Sequence, residues 1–301
     1  MKFVTFRRGS QVSAGLVIDG DRVVDLGEVP GLKAKTALDV VLAGEAGVAA
    51  AREAGKRANA GNTVALSAVK LMAPIPHPKK NVFCVGRNYV EHVAEGYRAR
   101  GTEMKLPEFP QFFSKPQTAI IGPDDEVPYD TQVTQKLDYE VELGVIIGKR
   151  GKNIPKDRAL SHVFGYTIIN DVTARDLQRR HEQWFKGKGI DGSCPMGPWI
   201  VHASAIKDPQ ALDIKLRVNG GERQSSNTRH MIFDLKTIIE SLSLGMTLEP
   251  GDVIATGTPS GVGFAMTPPG LLKGGDVIEA EVEGIGILRN TVREVPHKVE
   301  G

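Results

Sequence analysis

LDYEVELGVIIG, residues 137–148, and GYTIINDVTARD, residues 165–176, decide how this chain folds. In the first stretch Tyr139, Val141, Leu143 and Val145 alternate with Glu140, Glu142 and Gly144, the two-residue period of a β-strand. Glu140 and Glu142 therefore share one face. Two carboxylates side by side repel by roughly 1 kcal/mol at ~4 Å in water, and by about four times that near a protein surface. A chain that places them so leaves them in water on an edge strand, protonates one, or supplies a cation. The second stretch continues an apolar strand, Val163–Asn170, that stops at Asp171 before a helix-like run, VTARDLQRRHEQWFKGKG. Asp171 then has two readings. It caps that helix, or it joins the two glutamates in an all-oxygen site of the kind that suits Mg²⁺ or Mn²⁺.

Upstream, NVFCVGRNYVEHVAEGYRARG (81–101) reads as a short strand, a glycine turn and a helix over residues 89–98 that Gly101 ends. His92 and Glu95 sit at i, i+3 and share a face of that helix. A carboxylate one turn from an imidazole fixes its tautomer and raises its basicity, which prepares a general base; the same pair also occurs on solvated helix faces. Residues 102–116, with three prolines, read as a loop running into Phe112, Phe113, Ser114 and Lys115. Downstream, Lys186 and Lys188 enter the glycine-bearing GKGIDGSCPMGPW. A lysine there either neutralises a developing oxyanion or lies on the surface. TGTPSGVG (256–263) offers backbone N–H groups to an anion in the manner of a nest. It lacks the Gly-Lys-Ser/Thr of a phosphate-binding loop and the glycine spacing of a dinucleotide fingerprint. Glu279, Glu281 and Glu283 repeat the alternating pattern near the C-terminus, without a third carboxylate at a strand-to-helix junction, and read as a solvated face.

Residues 1–26 show strands with a hairpin at Asp19-Gly20-Asp21, and residues 37–59 read as a helix that Gly44, Gly47 and Gly55 weaken or divide. The proline-rich MAPIPHPKK (72–80) is the best boundary, giving a small N-terminal α/β domain over residues 1–72 and a second domain over residues 73–301. The chain's 301 residues carry 38 basic and 36 acidic side chains, a net charge of +2 that gives no reason to expect nucleic acid or an anionic membrane as partner. No apolar run is long enough to span a bilayer and the N-terminus has no signal-peptide core. Two cysteines, Cys84 and Cys194, make neither a disulfide framework nor a zinc set. The expected setting is cytoplasmic.

The order of GRNYVEHVAE, FFSKPQTAIIGP, LDYEVELGVIIG, GYTIINDVTARDLQ, KGKGIDGSCPMGPW, QSSNTRHMIFD and IATGTPSGVG resembles the fumarylacetoacetate hydrolase family over about residues 70–295. The N-terminal region is similar to the small domain of some bacterial members. The resemblance implies an α+β, β-rich fold with a mixed β-roll catalytic domain, a homodimer, and Mg²⁺ or Mn²⁺ on Glu140, Glu142 and Asp171. It implies that His92 and Glu95 lie on a lid helix and act in catalysis with Lys188. Gln178 and Thr258 match substrate-contacting positions, and Arg87 and Lys115 sit where an anionic substrate would be met. The implied activity is metal-dependent hydrolysis of a C–C bond in acylpyruvates and related β-diketo acids, fumarylpyruvate among them, as in aromatic catabolism. On the same site the alternatives are isomerisation of a 2-hydroxy-diene dicarboxylate, decarboxylation of oxaloacetate, or a non-catalytic metal- or ligand-binding module. The segment between Glu95 and Phe112 is longer than in compact members and adds Tyr97, Arg98 and Arg100, so the acyl group is not legible.

Overall fold

A computed structural model describes residues 1–299, without the Arg100 side chain. The alternation around Glu142 is realised as a strand, Val141–Ile147, buried along its whole length. Val141, Leu143, Val145 and Ile147 join one hydrophobic cluster, whereas Ile146 joins a second on the opposite face. Period-2 patterning has thus put apolar residues on both sides, as in a strand covered on both faces.

That strand lies in a large sheet of twelve strands. Val141–Ile147 pairs antiparallel with Val163–Asn170, which pairs with Cys194–His202; on its other side come Val253–Ala255, Val82–Gly86 and Gln111–Lys115. A second sheet of five strands contains Asp213–Val218, Gly221–Asn227, Val277–Val282, Gly286–Glu294 and Glu126–Tyr129. The main core lies between the two sheets: Leu143, Val145 and Ile168 share a cluster with Ile214, Leu216, Ile278 and Ala280. The architecture is α+β and β-rich, as the resemblance implies. The N-terminal strand Lys2–Arg8 pairs with Cys194–His202, Lys2 opposite Val201 and Phe3 opposite Ile200, so the first 65 residues extend the same sheet. Helix Ala37–Lys56 covers it, with non-helical backbone at Gly44 where the sequence expects a division.

Three local expectations change. The strand alternation read from Tyr139 to Val145 is realised only from Val141: Leu137–Asp138 is a separate short strand that pairs with Thr173–Ala174, and Val141–Ile147 follows after a step at Tyr139 and Glu140. The single helix expected after Asp171 is two short ones, Arg175–Arg180 and Phe185–Lys188, parted where Glu182 adopts φ 55°. A left-handed residue cannot continue a right-handed helix. Finally, the end of the 102–116 loop is strand Gln111–Lys115, an edge strand bracketed by Pro110 and Pro116, where prolines are tolerated.

Candidate functional site

Register builds the site. Val141 stands opposite Asn170 across the central antiparallel pair. Just beyond that pairing, the Asp171 N–H donates to the Glu140 carbonyl at 2.8 Å, and the Glu140 N–H donates to Asn170 Oδ1 at 3.0 Å. Two strand ends are thereby tied together, and Glu140, Glu142 and Asp171 converge with one carboxylate oxygen from each lying within 4.8 Å of the others. All three side chains are buried. Asp171 is not the cap of the following helix, whose N-cap is Ala174.

Buried charge must be balanced. The Lys188 ammonium donates to Glu140 Oε2 at 2.8 Å and to Asp171 Oδ2 at 2.7 Å. Arg175 places Nη1 2.7 Å from Glu140 Oε1. Burial by itself would raise the Glu140 carboxyl, but Lys188 and Arg175 outweigh it and hold it at about 2. Burial would likewise lower Lys188, yet Asp171 and Glu140 raise it, so it remains an ammonium. Glu142 is different. Gly257, at φ 98°, turns its N–H to Glu142 Oε2 at 2.8 Å, and no ammonium or guanidinium is bonded to this carboxylate among the described residues. Burial and the neighbouring Asp171 and Glu140 push its carboxyl well up. Three convergent carboxylates with one left uncompensated, and only oxygen donors, fit a hard divalent cation.

His92 is on helix Val90–Arg100, which Gly101 ends in a left-handed C-cap. Its Nδ1 is 2.8 Å from Glu95 Oε1, and the second oxygen of Glu95 accepts the Gly261 N–H at 2.9 Å. His92, Glu140, Glu142 and Lys188 line one cavity of about 190 Å³. Arg87, Gln178 and Thr258 line it as well. The Thr258 hydroxyl is already committed, donating to the Val141 carbonyl at 2.9 Å and accepting from Gln224 Nε2 at 2.8 Å. Arg87, at φ 55°, holds its guanidinium 5.8 Å from the Tyr97 ring and 5.5 Å from the Trp184 ring, in cation–π range of both. A side chain on the preceding Gly86 would collide with that same Trp184. Lys115 is not at the cavity. It is wholly buried behind the cluster, donating to Asp171 Oδ1 at 2.7 Å, to the Val172 carbonyl at 3.0 Å and to the Lys188 carbonyl. It pairs with the Asp171 carboxylate rather than standing at the substrate position the sequence reading gave it.

The family model described as fumarylacetoacetate (FAA) hydrolase C-terminal matches residues 81–293. The chain belongs to the fumarylacetoacetate hydrolase family. It is 45% identical to oxaloacetate tautomerase YisK of Bacillus subtilis over 308 aligned residues, covering 97% of this chain and 100% of the relative. It is 41% identical to the mitochondrial oxaloacetate tautomerase FAHD2A of Homo sapiens, covering 97% of this chain and 91% of that one. Among solved structures, a fumarylacetoacetate hydrolase from the psychrophile Exiguobacterium antarcticum superposes with a TM-score of 0.82 at 42% identity, over 98% of this chain and all of that one. Family membership makes this a candidate for chemistry on small molecules, and no helix among the described residues is long and apolar enough to cross a membrane.

Two residues central to this geometry escape the sequence reading. Arg175 follows a strand end and opens a helix, where an arginine normally reads as solvated; here it lies against Glu140 and 4.6 Å from the Phe264 ring. Asp138 continues the alternation of the two glutamates in the same quoted motif, but the chain steps at Tyr139 and Glu140 and carries it into a separate short strand, Leu137–Asp138, and only the fold shows its partners.

Proposed function

We propose that this protein interconverts the enol and keto forms of a short 2-oxo dicarboxylic acid of the oxaloacetate type, with Mg²⁺ or Mn²⁺ held by Glu140, Glu142 and Asp171. The observation that carries the reading is one small cavity lined both by Glu140 and Glu142 of the carboxylate cluster and by His92, whose Nδ1 side is held by Glu95. The two tautomerases aligned along nearly the whole chain support the substrate class. When bound, the divalent ion supplies a Lewis acid that draws electron density from the 2-oxo group.

The chain's own residues do the rest. Glu95 takes the Nδ1 side of His92 and leaves Nε2 for a proton transfer, with Glu95 itself fixed by the Gly261 N–H. In ketonisation the protonated His92 delivers its Nε2 proton to C3 while the enol hydroxyl loses its proton to water, and His92 takes a proton back from water, so the proton count closes. Lys188 sets a positive charge beside the oxygen that becomes the carbonyl. Arg175 is buried beside the cavity with Nη2 unpartnered among the described residues, and Arg87 carries a charge held by rings rather than by a carboxylate. These two favour an anionic substrate over a neutral one. Gln178 lies against Arg175 at 3.3 Å on the same wall.

The test is the decay of enol absorbance when enolic oxaloacetic acid is dissolved with enzyme and Mg²⁺ or Mn²⁺. Acceleration that chelation abolishes is expected; a decay unchanged by enzyme with either ion overturns the proposal. C–C hydrolysis of an acylpyruvate remains a second reading, favoured by the likeness to the Exiguobacterium hydrolase. Release of pyruvate from a panel of acylpyruvates distinguishes it, and release from oxaloacetate itself marks decarboxylation. The same reading includes a homodimer in reduced cytoplasm. Phe109, 71% exposed on the loop before Gln111–Lys115, is a candidate contact, and light scattering on the purified protein checks the mass.

A further inference from the structure

Asp138 stands beside the carboxylate cluster without belonging to it. It is fully buried, and its two oxygens serve different parts of the molecule. Oδ1 accepts the Tyr139 N–H at 3.0 Å and the Gly263 N–H at 2.8 Å. Oδ2 accepts the Phe264 N–H at 3.0 Å and the Arg175 Nε–H at 2.8 Å. A carboxylate offers about four acceptor sites, so this one is saturated and its orientation is fixed from both sides.

Arg175 carries the constraint to the cluster, with Nη1 2.7 Å from Glu140 Oε1 and its guanidinium over the Phe264 ring. The segment that Asp138 grips is also where helix Val90–Arg100 is seated. The Gly261 N–H donates to Glu95 Oε2 at 2.9 Å, and the Ser260 hydroxyl donates to Glu91 Oε2 at 3.2 Å. The Tyr139 hydroxyl, next to Asp138 in the chain, donates to the Gly261 carbonyl at 3.1 Å. One buried carboxylate thus links the loop that receives the His92 helix to the arginine that orients Glu140.

We propose that Asp138 is a positioning residue that couples the seating of helix Val90–Arg100 to the orientation of Glu140, acting through Arg175. The proposal rests on the reading of Glu140 as a metal ligand. If the loop lifts, Oδ2 leaves Arg175 without an acceptor for Nε–H, and the guanidinium is free to turn from Glu140. Coupling of this kind is reciprocal: a cation that fixes Glu140 tightens the seat of the helix, and a seated helix tightens the cation.

Asp138→Asn tests it. The variant keeps the shape and one acceptor oxygen, but its NH₂ can face Arg175 Nε–H, donor against donor. Two readouts apply: the affinity for Mg²⁺ and Mn²⁺ by calorimetry, and amide hydrogen exchange over residues 90–100. Exchange is followed in metal-free protein and again with metal plus oxalate, a stable chelating diacid. In the wild type, exchange in the helix slows on adding metal and oxalate. In D138N the metal affinity falls by about tenfold, exchange is faster without metal, and the response to metal and oxalate is lost, while thermal unfolding stays cooperative. Unchanged affinity overturns the proposal. So does weakened affinity with an intact helix response, which would make Asp138 a local prop. If D138N does not fold, Arg175→Lys breaks the next link, since one ammonium cannot reproduce the fork that reaches both Asp138 and Glu140; an intact helix response in that variant overturns the coupling. Wild-type protein that binds neither ion sinks the metal reading instead. The metal-free exchange rates then decide the coupling alone, and equal rates in wild type and D138N overturn it.

Discussion

Two stretches of this molecule carry alternating glutamates on a strand and do opposite things with them. Glu140 and Glu142 are buried at the end of the central antiparallel pair. Glu279 and Glu281 lie on strand Val277–Val282 of the five-stranded sheet, 30% and 39% exposed, each within reach of Arg217 across the sheet. Glu283 accepts the Asp213 N–H at the strand end. The second set is held in water, where an ion pair is worth little. The first is removed from water, where every missing partner is expensive, and it accordingly recruits Lys188, Arg175 and, through Asp171, Lys115. The alternation is the same; the surroundings turn one into a candidate cation site and leave the other a solvated face.

The contrast breaks most visibly at Glu142. Glu142→Gln should reduce metal-dependent turnover on the order of a thousandfold, equivalent to about 4 kcal/mol of lost Lewis-acid stabilisation. The metal-free protein should be no less stable, because the substitution removes a crowded charge. Steady-state kinetics with calorimetric metal titration and a thermal melt check both halves. Next comes His92→Ala, expected to lower kcat by about a hundredfold or more through loss of acid–base catalysis while leaving metal affinity unchanged, as the same titration shows.

Asp234 is an intermediate case, a partly exposed carboxylate with a defined structural task. It caps helix Leu235–Ser243, accepting the Thr237 N–H at 2.7 Å. Asp234→Ala should cost about 1 kcal/mol in urea unfolding. Burial would raise this carboxyl, but its hydrogen bonds to Thr237 outweigh that and hold it below its ordinary range. A carboxyl lowered by folding stabilises above its unfolded value and loses that contribution as pH falls through the folded one. The cost of the substitution should therefore shrink toward strong acid, measured as paired melts across that range. At the small end, Glu281→Ala should change stability by about half a kcal/mol or less, and less still in high salt. A large loss there would show that the exposed set is not the plain solvated face it resembles.

Much of the candidate site was legible in the residues. The strand period, the helix bearing His92 and Glu95, the hairpin at Asp19-Gly20-Asp21 and the pairing of Glu140 with Glu142 follow from local geometry, because neighbours two, three or four apart on an element face the same way. The places where the reading slipped are those where distant segments compete for one residue. Lys115 reads as a basic residue at a loop end facing a substrate, and instead satisfies Asp171, Val172 and Lys188 from behind. Asp171 reads equally well as a helix cap, and the register of two strands settles it.

What the sequence by itself determined is the chemical inventory and its local direction: carboxylates alternating on one strand, a third at the end of the next, and an imidazole one turn from its carboxylate. Only the tertiary structure decided which of these groups are dry, which are paired, and that Asp138 and Arg175 stand between the helix and the cluster. The reason is that side-chain direction is set within a few residues of chain, whereas burial and charge balance are set by whatever remote segment packs there.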